Sequence, residues 1–167
     1  CTPTEIKELV TGFLYTSGLI QGAGEILSYS FDDLRGVANV RIPAVNFNPE
    51  ILNKRIYTSG CGKGVMFYQL ADLTRKNKIT ASPSISVPRL LELMKEFQSS
   101  SPEYRRTGAV HSAAIAIGEG IIKVTEDLGR HNAVDKIIGF LLLEHLSGTD
   151  KIILTSGRIS SEIVFKI

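Results

Sequence analysis

The sequence predicts an α/β sandwich with a mixed sheet. Three observations carry that expectation. Apolar residues recur at helical spacing in three separate stretches, and short β-branched runs lie between those stretches. Gly118-Glu119-Gly120 joins two such runs into an antiparallel hairpin. The 167 residues, 43% hydrophobic and 22% charged, have the composition of one ordinary domain with a single core, so residues 1–167 are read as one unit.

The elements follow in chain order. Thr2 and Glu5 have capping-box spacing with Pro3 at the first helical position. Ile6, Leu9, Val10, Phe13 and Leu14 then form a core-facing stripe that Gly18 stops. Residues 26–29 and 37–42 read as short strands, followed by a loop at Pro43, Asn46, Asn48 and Pro49. A strand over 55–59 leads into Gly60-Cys61-Gly62-Lys63-Gly64, and residues 71–86 show no clear pattern. Pro88 opens a second helix with Leu90, Leu91, Met94 and Phe97 on one face, ended by Ser99-Ser100-Ser101-Pro102.

The hairpin strands are 110–117 and 121–125. A third helix spans 133–146, with Val134, Ile137, Ile138, Leu141, Leu142 and His145 along its face. A strand over 151–154, a turn at Thr155-Ser156-Gly157-Arg158 and a helix capped by Ser160 complete the chain. That helix stops after barely two turns, which is marginal for a helix, so the protein is expected to continue past Ile167. The start at Cys1 is likewise read as a boundary within a longer chain.

Nineteen basic and 17 acidic residues give a net charge of +2, so nothing electrostatic calls for a nucleic-acid or membrane-surface partner. No apolar run reaches membrane-spanning length and no signal peptide is present, so the expected compartment is the cytoplasm. Two cysteines and three histidines exclude a disulfide scaffold and leave no metal site of the protein's own.

Three loops pair a glycine with a basic residue: Cys61-Gly62-Lys63, Asp127-Leu128-Gly129-Arg130-His131-Asn132 and Ser156-Gly157-Arg158. In the last two a helix follows a strand, presenting free N–H groups and the positive end of a helix dipole to an anion. Arg130 and Arg158 add forked donors suited to phosphate. Each loop alone reads equally as a turn with a solvated charge; together they point to a nucleotide or phosphate site.

Asp127 either orients this run and its ligand or caps the helix. For Asp135, capping and dipole matching are the simpler reading. Lys136 reads as a solvated helix residue, and His145 as a dipole partner at the third helix's C-terminus. His111 begins a strand among small neighbours, as a core histidine or as a ligand contact. Cys61 stands between glycines beside Lys63, where a lowered pKa favours the nucleophilic thiolate; the alternative is an incidental surface thiol. Cys1 is read as incidental or core-facing.

The run Glu126-Asp127-Leu128-Gly129-Arg130-His131-Asn132-Ala133-Val134-Asp135-Lys136 resembles the signature of the formate dehydrogenase accessory sulfurtransferases, the FdhD family. Cys1-Thr2-Pro3 with Gly12-Phe13-Leu14, Thr107-Gly108-Ala109-Val110-His111-Ser112-Ala113-Ala114 and Ser156-Gly157-Arg158-Ile159-Ser160-Ser161-Glu162 resemble further family segments in the same order. The resemblance implies a layered α/β/α, cytidine-deaminase-like fold acting as a homodimer. It implies sulfur transfer through a cysteine persulfide, from a cysteine desulfurase to the molybdenum bis(pterin guanine dinucleotide) cofactor of formate dehydrogenase. Cys61 is then the persulfide carrier. The cofactor-binding set is His111, Asp127, Gly129, Arg130, His131, Asn132, Asp135, Ser156, Gly157 and Arg158.

The resemblance implies two departures from the family: a carboxy-terminal segment past the Ser-Gly-Arg helix that contributes to cofactor binding is not in this sequence, and the sulfur loop differs. Many members carry Cys-Gly-x-Cys-Gly in the sulfur loop, where this chain has Thr58-Ser59-Gly60-Cys61-Gly62. A zinc deaminase reading fails, because His111 is followed by Ser112-Ala113 and no paired cysteines exist. A chaperone that binds the guanylylated cofactor without sulfur chemistry is the remaining alternative.

Overall fold

The computed structural model describes residues 1–43, 56–57, 65–66, 84–118 and 120–167. At its centre, strand β5 (His111–Ile117) lies between β6 (Gly120–Asp127) and β7 (Lys151–Thr155). Both pairings are antiparallel, with His111 opposite Asp127 and Ala113 opposite Thr155. The expected mixed sheet is therefore corrected among the described residues, where every strand pairing is antiparallel. The reason is connectivity: a tight turn sets β6 against β5, and the chain returns through helix α4 (Arg130–Leu143) to place β7 on the other side of β5. Strands β6 and β7 thus run the same way, and both end at the edge where β5 begins.

Alternation along β5 divides the core. Ala113 and Ile115 pack with Ala133, Val134 and Ile137 of α4 on one face. Ala114 and Ala116 pack with Leu154 and with Leu93 and Phe97 of α2 (Val87–Ser99) on the other. The fold is α/β, with a helix against each face of the sheet. Outside α4 lies α1 (Ile6–Thr16), so α4 is covered on two sides and buries charged as well as apolar residues. Strands β1 (Ser28–Asp32) and β2 (Val37–Arg41) form a separate hairpin, and β3 (Ile56–Tyr57) pairs with β4 (Val65–Met66). Helices α3 (Pro102–Thr107) and α5 (Ser161–Lys166) are short.

Several local expectations change. The capping box does not form: Glu5 lies in the left-handed region with φ 54°, and Thr2 bonds to Asp127 and Leu128 instead. On α2 the buried face centres on Leu93 and Phe97, leaving Leu91 57% exposed, so the stripe is rotated from the one expected. Helix α3 begins at Pro102, where a loop was expected, because the Glu126 carboxylate accepts from the first-turn amides of Glu103 (3.1 Å) and Tyr104 (2.8 Å). The first strand runs 28–32 rather than 26–29, and Gly120 joins its strand rather than the turn. Helix α4 starts at Arg130 and ends at Leu143, so His145 lies past the helix with φ 53° rather than on its last turn. Ser160 occupies the cap position of α5, but its side chain makes no capping bond.

Candidate functional site

The shared edge of the sheet gathers the start of β5 and two loops that are distant in sequence, after β6 and after β7. Ser112 N–H donates to Ser156 Oγ (2.9 Å), and Ser156 N–H donates back to the Ser112 carbonyl (3.0 Å). This pair holds the turn after β7 beside the start of β5, and Gly157 N–H closes the turn on Thr155 Oγ1 (3.1 Å). Gly157 lies directly on its neighbours. A Cβ there would come 2.9 Å from Arg130 Cβ and 3.4 Å from His111 Nδ1. Glycine is required by that approach alone, and it brings His111, Arg130 and Gly157 together.

Asp127 shapes the second loop. Its Oδ1 accepts from Gly129 N–H (2.9 Å) and Asn132 Nδ2 (2.9 Å), while Oδ2 accepts from Thr2 N–H (2.9 Å) and pairs with Lys136 Nζ (3.0 Å). Burial raises the cost of its charge. The hydrogen bonds from Gly129, Asn132 and Lys136, with the Lys136 charge, outweigh that cost and hold the carboxyl below its ordinary value. Lys136 is itself fully buried and also donates to the Glu126 carbonyl (2.8 Å). The solvated reading of Lys136 is thereby corrected: its position on α4 faces the end of β6, where only a buried partner is available.

Asp135, one residue earlier on α4, pairs with Lys166 Nζ at 2.7 Å and 2.8 Å and accepts from Thr16 Oγ1 at 2.8 Å. The capping reading of Asp135 gives way, because α4 begins five residues before it and the side chain is enclosed between α1 and α5. Burial pushes the Asp135 carboxyl upward against the pull of Lys166.

Arg130 Nε and His131 Nε2 are buried with no hydrogen-bond partner among the described residues. Burial, and then the charges of Arg130, Lys166 and His111 against Glu162, push the His131 pKa down from 6.5 to about 4, so the imidazole is neutral near pH 7. Arg158 and Ser156 are exposed in the turn after β7. The arrangement brings a guanidinium, a neutral imidazole and backbone glycines to one edge of the sheet, chemistry suited to an oxyanion.

Cys61, Lys63 and the rest of the glycine-rich loop lie outside the described residues. Sequence reasoning missed Thr2, Thr16, Gly12, Gly139 and Lys166. One signal was present: two adjacent charges, Asp135-Lys136, inside an otherwise apolar helix require buried partners.

Residues 1–167 match the family model for the FdhD/NarQ family. The chain is 40% identical over 171 residues to a sulfur carrier protein FdhD from Bacillus subtilis (strain 168), covering 99% of this chain and 64% of that protein. It is 40% identical over 169 residues to a sulfur carrier protein FdhD from Listeria innocua, covering 99% and 65%. The chain thus spans just under two thirds of these relatives' length. A crystal structure from Desulfotalea psychrophila, described as a formate dehydrogenase accessory protein, aligns with TM-score 0.67 at 25% identity, over 98% of this chain and 60% of that one.

Proposed function

Because the chain belongs to the FdhD/NarQ family, we propose that it is a sulfur carrier that passes persulfide sulfur from a cysteine desulfurase to the molybdenum bis(pterin guanine dinucleotide) cofactor of formate dehydrogenase. The observation that carries this reading is the meeting of Arg130, His131, His111 and Gly157 at one edge of the sheet, with Arg130 Nε and His131 Nε2 buried and without a hydrogen-bond partner among the described residues. A buried polar atom without a partner costs roughly 1–3 kcal/mol, which a ligand supplying an acceptor would recover. The phosphates at the guanine nucleotide ends of the cofactor are such acceptors.

In this reading Arg130 donates to a phosphate, Gly129 and Gly157 let the ligand approach the backbone, and Ser156 and Arg158 line the outer rim. Neutral His131 supplies a hydrogen bond to the anion, with His111 beside it. Asn132, Asp127 and Asp135 keep these groups in place. The helix-sheet-helix order fits the cytidine-deaminase-like layering the resemblance implies. The protein acts in the cytoplasm as a homodimer.

Cys61 carries the sulfur. Its thiolate attacks the outer sulfur of the desulfurase's cysteine persulfide. The S–S bond to the desulfurase breaks, a new S–S bond forms at Cys61, and the desulfurase cysteine leaves as a thiolate, with no net oxidation. With Thr58 in place of a second loop cysteine, one thiol both receives and donates.

Intact-mass spectrometry after incubation with a cysteine desulfurase and free cysteine tests the proposal. The expected result is one added, reducible sulfur on the wild type and none on Cys61→Ser. A wild type that gains no sulfur yet binds GDP would leave a cofactor-binding chaperone in its place.

A further inference from the structure

Building on the nucleotide reading above, we propose that Lys136, acting through Asp127, is a positioning residue that sets Arg130 and His131 at the proposed anion site without touching the ligand. Both side chains have no exposed surface. A carboxylate offers about four acceptor positions, and Asp127 has four partners within the chain: Gly129 N–H, Asn132 Nδ2, Thr2 N–H and Lys136 Nζ. An ammonium has three protons, and Lys136 faces Asp127 (3.0 Å), the Glu126 carbonyl (2.8 Å), the Thr2 carbonyl (3.3 Å) and Thr4 Oγ1 (3.4 Å). Neither group has capacity left for a ligand.

What the pair controls is the turn. The two donors on Asp127 Oδ1 come from residues 129 and 132, which bracket Arg130 and His131. Thr2 fastens the other side, since Leu128 N–H donates to Thr2 Oγ1 (3.1 Å) while Thr2 N–H is held by Oδ2. Removing the ammonium leaves a buried anion unpaired. That anion must take a proton or admit water, and either change alters the acceptor that Gly129 and Asn132 share. Lys136 therefore reaches the proposed anion site through the geometry of its neighbours.

GDP titration calorimetry and thermal melting of the full chain, with Lys136→Met, Asp127→Asn and the double variant, test the proposal. Each is measured well below its own melting temperature. Lys136→Met is expected to weaken GDP binding about tenfold, and the double variant, with neither charge, to regain much of that loss. A purely structural lysine would lower the melting temperature and leave affinity within about twofold of wild type, which overturns the positioning role. Additive losses in the double variant also overturn it, since they mean independent ligand contacts. If Lys136→Met does not fold, Thr2→Val, which removes only the acceptor for Leu128 N–H, is expected to weaken GDP about threefold, and unchanged affinity overturns the proposal. A wild type that binds no GDP overturns the nucleotide reading itself, and this inference with it.

Discussion

Gly12 rests against Gly139 where α1 crosses α4. A Cβ on Gly12 would lie 2.8 Å from the Gly139 amide nitrogen and 1.8 Å from the Asp135 carbonyl oxygen, and one on Gly139 would lie 1.8 Å from the Glu8 carbonyl oxygen. The two helices meet backbone to backbone, and neither position has room for a methyl group.

Gly12→Ala and Gly139→Ala should each destabilise the fold by about 3 kcal/mol, the upper range of an overpacked core, because the obstructing atoms belong to a helix backbone that cannot rotate aside. Urea unfolding reads this directly. An unchanged midpoint in both variants would show that the helices sit farther apart.

The Asp135–Lys166 pair is buried, so removing one partner should cost far more than removing both. Lys166→Met alone is expected to lose about 3–5 kcal/mol, while Asp135→Leu with Lys166→Met should stay near wild type. Equal losses in the single and double variants, seen in the same urea experiment, would contradict this.

Acid should destabilise the protein in two steps. His131 titrates near 4 in the folded state and near 6.5 unfolded, so the unfolded chain binds the proton first. Stability therefore falls as pH drops from about 6.5 toward 4. Asp127, with its carboxyl held low, adds a further loss below the ordinary carboxylate range as pH falls through its folded value. Melting temperatures from pH 7.5 to pH 4.5 should decline for wild type and be flatter for His131→Gln over the upper part of that span. Parallel curves would show that His131 keeps its ordinary pKa.

Arg130→Ala should weaken GDP binding by about 1.5–3 kcal/mol through loss of charge-assisted hydrogen bonds. Arg158→Ala should weaken it by less, because Arg158 lies exposed and its charge is screened. Calorimetry that ranks Arg158 above Arg130 would move the ligand to the outer rim.

Local pattern made much of the fold legible. Helix α1, the β5–β6 hairpin, β7 and the body of α4 follow from apolar spacing and glycine turns, which act over a few residues. The boundaries that slipped did so for non-local reasons: Thr2 left its capping role for Asp127, and α3 formed on a carboxylate from β6. The two glycine loops could be matched to an anion site by residue type, and their meeting rests on Gly157 lying against Arg130 and His111.

By itself the sequence determined the α/β class and the order of the longer helices and the central strands, and it offered the residue types of an anion site. Only the tertiary structure decided that β5 lies in the middle of an antiparallel sheet, bringing the ends of β6 and β7 to one edge. It also decided that Asp135 and Lys136 point inward to Lys166 and Asp127. A charged residue on a helix reads as solvated until a partner from another element is brought within about 3 Å, and that partner's position is a property of the whole chain rather than of its neighbours in sequence.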